Sequence, residues 1–140
     1  MAQTREESGT EAGPFVLIVD DYADLAEPLA RLLKRMGYRT AMAASGAEAI
    51  QDLQHQVPSL IILDLFMPDV SGLQLLRWLR ETPQSQKIPV IIYTVAADPE
   101  LLRQCLESGA NEVWLKGSLD FFQIMARIAA YVPPPPAHED

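Results

Sequence analysis

Four short apolar runs in this chain each close on a residue that carries chemistry, and this pattern constrains the fold more than any other feature. Phe15-Val-Leu-Ile-Val19 runs into Asp20 and Asp21, and Leu60-Ile-Ile-Leu63 into Asp64. Val90-Ile-Ile-Tyr93 runs into Thr94, and Glu112-Val-Trp-Leu115 into Lys116. Each run reads as a short strand; Leu60–Leu63, apolar throughout, reads as buried on both faces, and Val90–Tyr93 as the next buried strand. A fifth, weaker strand is expected over 38–43.

Helical patterns separate the runs. Asp24 and Glu27 have capping-box spacing, with Asp24 as N-cap of a first helix reaching about Met36. Pro28 then falls at the end of the first turn, where its missing N–H does less harm. Gly37 suits a left-handed stop. Ser45 and Glu48 form a second capping box, opening a helix to about Gln56. A Leu-rich helix follows the 67–72 loop and ends near Glu81. Asp98-Pro99 places Pro at the first position of the next helix, which stops at Gly109. Ser118 is the expected cap of the last helix, with Phe121, Ile124, Met125 and Ile128 at helical spacing.

Five rounds of strand then helix imply an α/β fold. Its core is a doubly wound five-stranded parallel sheet between two helical layers, a three-layer α/β/α sandwich. In open sheets of this kind, sites form beyond the carboxyl ends of the strands. The polar residues that close the runs are therefore the candidate site.

A length of 140 residues fits one domain, and 49% hydrophobic residues are enough for one core. Residues 1–14 read as a flexible leader, 15–132 as the folded domain and 133–140 as a Pro-rich acidic tail. The four prolines at 133–136 either stop the last helix or offer an extended ligand to an aromatic-lined groove. Half of the formal charge of −8 sits in the leader and tail, and the acidic body offers no footprint for nucleic acid. No apolar run approaches the roughly 18 residues a membrane span needs. The polar start lacks a secretory pattern, so a cytoplasmic location is expected. Cys105 is the only cysteine, and His55 and His138 are isolated, which leaves no zinc-type grouping.

The chemistry at the strand ends suits phosphoryl transfer. Three carboxylates held together repel one another, and a hard cation such as Mg²⁺ relieves that repulsion while keeping room for phosphate oxygens. A carboxylate oxygen can attack an activated phosphorus to form an aspartyl phosphate. The phosphoryl oxygens then need a hydroxyl donor and a cation, for which Thr94 and Lys116 are the right types.

These residues carry a resemblance. Val19-Asp20-Asp21, Leu63-Asp64-Leu-Phe-Met-Pro68 with Ser71-Gly72, Tyr93-Thr94 and Leu115-Lys116 together resemble the CheY-like receiver domain of two-component response regulators. The resemblance implies a flavodoxin-like strand order, 2-1-3-4-5, and a switch that catalyses only its own phosphorylation and dephosphorylation. It implies that Asp64 is the phosphoacceptor, with Thr94 as switch hydroxyl and Lys116 pairing the phosphoryl oxygens. Mg²⁺ would be held by Asp20, Asp21, Asp64 and the backbone carbonyl of Phe66. The donor would be a phosphohistidine on a sensor histidine kinase or histidine phosphotransfer protein. With no second domain expected after residue 132, the output is expected to be binding to a downstream protein, not to nucleic acid or membrane.

Three departures from the family pattern bear on the readout. Gly117 stands where Pro usually follows the Lys, so the loop must rely on Gly freedom. Val113 stands where an aromatic switch residue is usual, and the adjacent Trp114 faces the other side of the strand. Val95 replaces a small residue after Thr94. They leave open a second reading, a binding module independent of phosphate. A haloacid-dehalogenase-type phosphatase would need Asp at position 66, where the chain has Phe66. A flavin site would need a Gly/Ser/Thr-rich loop in place of Asp21-Tyr-Ala-Asp24. For readout, the expected route is the Thr94–Asp98 loop. The expected partner surface is the last two helices and the strand between them, with Phe122 either exposed there or buried with Phe121.

Overall fold

In a computed structural model of the chain, residues 13–95 and 98–136 are described, Leu25 by its backbone only. The expected leader, apart from Gly13 and Pro14, lies outside these residues, as do Ala96, Ala97 and the last four residues of the tail. The elements follow in strict alternation. They are β1 (Phe15–Val19), α1 (Ala23–Arg35), β2 (Arg39–Ala43), α2 (Gly46–His55) and β3 (Leu60–Leu63). Then come α3 (Gly72–Glu81), β4 (Val90–Thr94), α4 (Pro99–Glu107), β5 (Glu112–Leu115) and α5 (Phe121–Tyr131). All strand pairings are parallel, in the order β2-β1-β3-β4-β5.

Side-chain alternation divides the core into two layers. Val16, Ile18, Leu60, Ile62, Ile91 and Trp114 pack beneath α1 and α5. Leu17, Val19, Ile61, Leu63, Val90 and Ile92 pack beneath α2, α3 and α4. Both faces of β1 and β3 are covered, which is why those strands read as unbroken apolar runs. Edge strand β2 is largely half-buried, which accounts for its weaker pattern.

Helix ends differ from the expectation in three places. The N-cap of α1 is Tyr22, not Asp24, and Pro28 lies inside the helix, beyond its first turn. The Asp20 carboxylate accepts the Tyr22 N–H at 3.0 Å, so the strand end serves this turn and the helix starts earlier. The cap of α5 is Asp120, in a capping box with Gln123, whereas the Ser118 hydroxyl donates to the Leu115 carbonyl. At α2, Ser45 caps as expected, but Glu48 reaches past it to the Ala44 N–H at 2.8 Å. The α1 stop matches the sequence reading. Gly37 has φ +99°, with Gly37 N–H donating to Lys34 and Tyr38 N–H to Leu33 in a Schellman arrangement.

One cap comes from a distant loop. The exposed Asp69 carboxylate accepts the Gly46 and Ala47 N–H groups, each at 2.9 Å, and so clamps the β3–α3 loop to the start of α2. These bonds hold its carboxyl pKa below the usual carboxylate range. A depressed folded pKa contributes stability above the unfolded value, and that stability is lost as pH falls through the folded pKa. Asp69→Asn is therefore expected to melt below the parent at neutral pH. The gap should close in acid, which a series of melts from pH 7 to pH 2 would check.

Candidate functional site

The backbone ladder continues one step past the strands and fixes the site residues in register. Asp20 N–H donates to Ala43 and Asp64 N–H to Val19, both at 2.9 Å, and Lys116 N–H donates to Thr94 at 2.8 Å. Asp20, Asp64 and Thr94 are buried and Asp21 is exposed. One carboxylate oxygen from each of Asp20, Asp21 and Asp64 falls within 4.8 Å of the others.

Lys116 arches over this group. Its Nζ lies 2.6 Å from Asp20 Oδ2 and 3.8 Å from Asp64 Oδ1. The ammonium is thus bonded to Asp20, while Asp64 Oδ1 is buried without a hydrogen-bond partner. Burial pushes the Asp64 carboxyl above its usual range; Lys116 pulls it down, the Asp20 charge raises it, and Thr94 and Leu65 lower it. An orphaned anionic oxygen beside two more carboxylates is a donor set that fits a hard divalent cation.

All the strand-end residues singled out from sequence, Asp20, Asp21, Asp64, Thr94 and Lys116, meet at one edge. The Phe66 ring, in the loop after Asp64, is exposed, as is Val95 after Thr94 at 64%. Gly117 takes φ +90° in a turn closed by Ser118 N–H to Leu115, and no peptide among the described residues is cis. Gly117 therefore shapes the loop through the left-handed region that Gly enters freely. Val113 packs under α4 and Trp114 under α5, on opposite faces as the strand period requires. Phe121 and Phe122 are both exposed, Phe122 at 82%, so the reading that buries them together is wrong.

Residues 16–129 match the response regulator receiver domain model. The chain belongs to this family. Over 109 residues it is 38% identical to a gliding motility regulatory protein of Myxococcus xanthus, covering 74% of the chain but 13% of that protein. It is 34% identical to the two-component response regulator ORR3 of Oryza sativa subsp. indica, covering 76% of the chain and 82% of ORR3. Among solved structures it is similar to Vibrio cholerae chemotaxis protein CheY4, with 25% identity, TM-score 0.79, and coverage of 86% of this chain and all of that one. The receiver fold and its strand order are thus those the sequence resemblance implied. No helix among the described residues is long and apolar enough to cross a membrane.

Sequence reasoning passed over Tyr93 and Glu112, which stand behind Lys116. From sequence, Tyr93 is the last residue of a run and the neighbour of Thr94 in the Tyr93-Thr94 motif, and Glu112 is the first residue of another run. The period of two was the available signal, because it puts Glu112 and Trp114 on one face of β5.

Proposed function

We propose that this receiver accepts a phosphoryl group on Asp64 from a phosphohistidine of a sensor histidine kinase or histidine phosphotransfer protein. The observation that carries this reading is Asp64 Oδ1, buried, without a hydrogen bond and 3.8 Å from the Lys116 ammonium. A carboxylate oxygen of Asp64 attacks phosphorus, the P–O bond forms, the P–N bond breaks, and the freed imidazole takes a proton. Lys116 exchanges part of its bond to Asp20 for the new phosphoryl oxygens, and the buried Thr94 hydroxyl lies at the same strand edge to donate to them. Asp20, Asp21, Asp64 and the Phe66 carbonyl would hold Mg²⁺. When bound, it offsets the charge of the carboxylates and of the transferring group.

The domain acts on itself and not on a separate substrate, in the cytoplasm, and its output is contact with a downstream protein. The acidic body and exposed Phe121 and Phe122 on α5 favour a protein target over nucleic acid or membrane. The phosphate-independent binding module is the competing reading, and Val113, which offers no ring to report on Thr94, favours it. Incubation with acetyl phosphate and Mg²⁺, followed by intact mass measurement, separates the two. A gain of one phosphoryl group, prevented by EDTA, is the expected result. An unchanged mass would overturn the phosphorylation reading.

A further inference from the structure

On the α1/α5 face, two rings and a carboxylate stand in a row behind Lys116. The Lys116 ammonium lies 5.7 Å from the centre of the Tyr93 ring, within reach of a cation–π attraction. Tyr93 pairs with Trp114 across the β4–β5 register, and the rings meet edge to face at 82° with centroids 6.0 Å apart. Trp114 is buried, and its indole N–H donates to Glu112 Oε1 at 2.7 Å. From α5, the Tyr131 hydroxyl donates to Glu112 Oε2 at 2.7 Å and the Arg127 guanidinium to Oε1 at 3.0 Å.

Each link is held on more than one side. Burial would raise the Glu112 carboxyl, but Trp114, Tyr131 and Arg127 outweigh it and hold it below its usual range, so it stays charged. Burial and Glu112 push the Tyr131 hydroxyl up to about 12, so it keeps its proton and goes on donating. Tyr93 also lines, with Asp20 and Asp64, a narrow cleft with no room for a water. The Lys116 side chain is itself largely buried, 11% exposed. On the opposite face, beneath α3 and α4, Val113 supplies no ring.

We propose that Tyr93 is a positioning residue for Lys116, and that the row Lys116–Tyr93–Trp114–Glu112 carries the state of Asp64 to α5. This rests on Asp64 being the phosphoacceptor. Lys116 has two alternative anions, Asp20 and a group on Asp64. A signal needs two such discrete arrangements, which the ligand favours unequally. Transfer of the ammonium from one anion to the other changes its place over Tyr93. The ring moves against Trp114, and Glu112 passes the change to Tyr131 and Arg127.

The chain has two tryptophans, so Trp78→Phe leaves Trp114 as the sole indole. In that background, Mg²⁺ and beryllofluoride serve as the phosphoryl mimic, and its occupancy is followed by fluorine NMR. The indole N–H resonance and fluorescence of Trp114 should change in step with occupancy. Tyr93→Leu should remove that change and slow phosphorylation by acetyl phosphate about two- to fivefold or more, starting from the lower end of the cation–π range. Tyr93→Phe keeps the ring and should preserve both. A purely structural role for Tyr93 would lower the melting temperature of Tyr93→Leu yet leave the indole response intact, and that result overturns the proposal. So does a bound mimic with an unchanged Trp114 signal in the parent, which leaves the Asp64 reading standing. Failure of the mimic to bind at all would remove both.

Discussion

Asp64→Asn is expected to lose all acquisition of a phosphoryl group while becoming more stable than the parent in the absence of metal. The first effect follows from chemistry. The amide oxygen of Asn is a poor nucleophile toward phosphorus, and no neighbour can replace it. Asp20 is engaged by Lys116 at 2.6 Å and by the Tyr22 N–H at 3.0 Å, and Asp21 is solvent-exposed. The second effect follows from burial. Asp64 Oδ1 is buried without a hydrogen bond, near the Asp20 carboxylate. An unsatisfied buried polar group costs about 1–3 kcal/mol, more when charged. Removal of the charge should recover part of that, raising the melting temperature of the chelated protein by a few degrees. The sign with pH is fixed by the direction of the shift. The folded pKa of Asp64 lies above the unfolded one, so the native state binds more protons between them. The parent therefore gains stability as pH falls through that window, and the gap to the variant narrows. Intact mass after acetyl phosphate treatment and melts in EDTA at pH 7 and pH 4 check both halves. A labelled variant would remove Asp64 from the role, and a variant less stable than the parent would contradict the cost assigned to the buried charge.

The strand ends were legible in the sequence because the sheet imposes a local rule. A strand buried on both faces must be apolar until its end, so Asp20, Asp64 and Thr94 mark the ends of three buried strands, and Lys116 closes the half-buried edge strand β5. Parallel alternation then brings those ends to one edge. What escaped the sequence depends on contacts between distant residues. Asp24 looked like a cap because its spacing to Glu27 is right, yet the donor at that turn is served by Asp20, on the preceding strand. Asp69 looked like an ordinary loop residue, and its partners are 22 and 23 positions away. The resemblance places Lys116 on phosphoryl oxygens, and the structure bonds its ammonium to Asp20, 96 residues distant. Local patterns report local free energies, and these contacts exist only after the sheet is built.

Gly72→Ala is expected to destabilise the domain by about 3 kcal/mol or more and to slow phosphorylation at Asp64. On helix propensity alone the change should help, by less than the roughly 1 kcal/mol of a helix interior, because Gly72 is the first helical residue. Packing reverses the sign. A Cβ at position 72 would stand 2.2 Å from the Asp64 carbonyl oxygen and 2.8 Å from Leu65 Cα. Both are backbone atoms, so no rotamer change relieves the clash. Gly72 N–H also donates to the Leu65 carbonyl at 2.9 Å, and Ser71 and Gln74 close a capping box around the same turn, so the helix start is pressed against the end of β3. To admit a methyl group, α3 must back away from the peptide that follows Asp64. At roughly 3–5 °C per kcal/mol for a domain of this size, the melting temperature should fall by about 10 °C or more. Gly46→Ala is the internal control. Its Cβ would meet Val70 Cγ2 at 2.4 Å, the end of a side chain that can turn aside, so its loss should be clearly smaller. Thermal melts of the two variants, with phosphorylation rates measured well below both transitions, test the ranking. A Gly72→Ala protein that melts within a degree of the parent would mean that the close approach of α3 to Asp64 is not what holds the site in place.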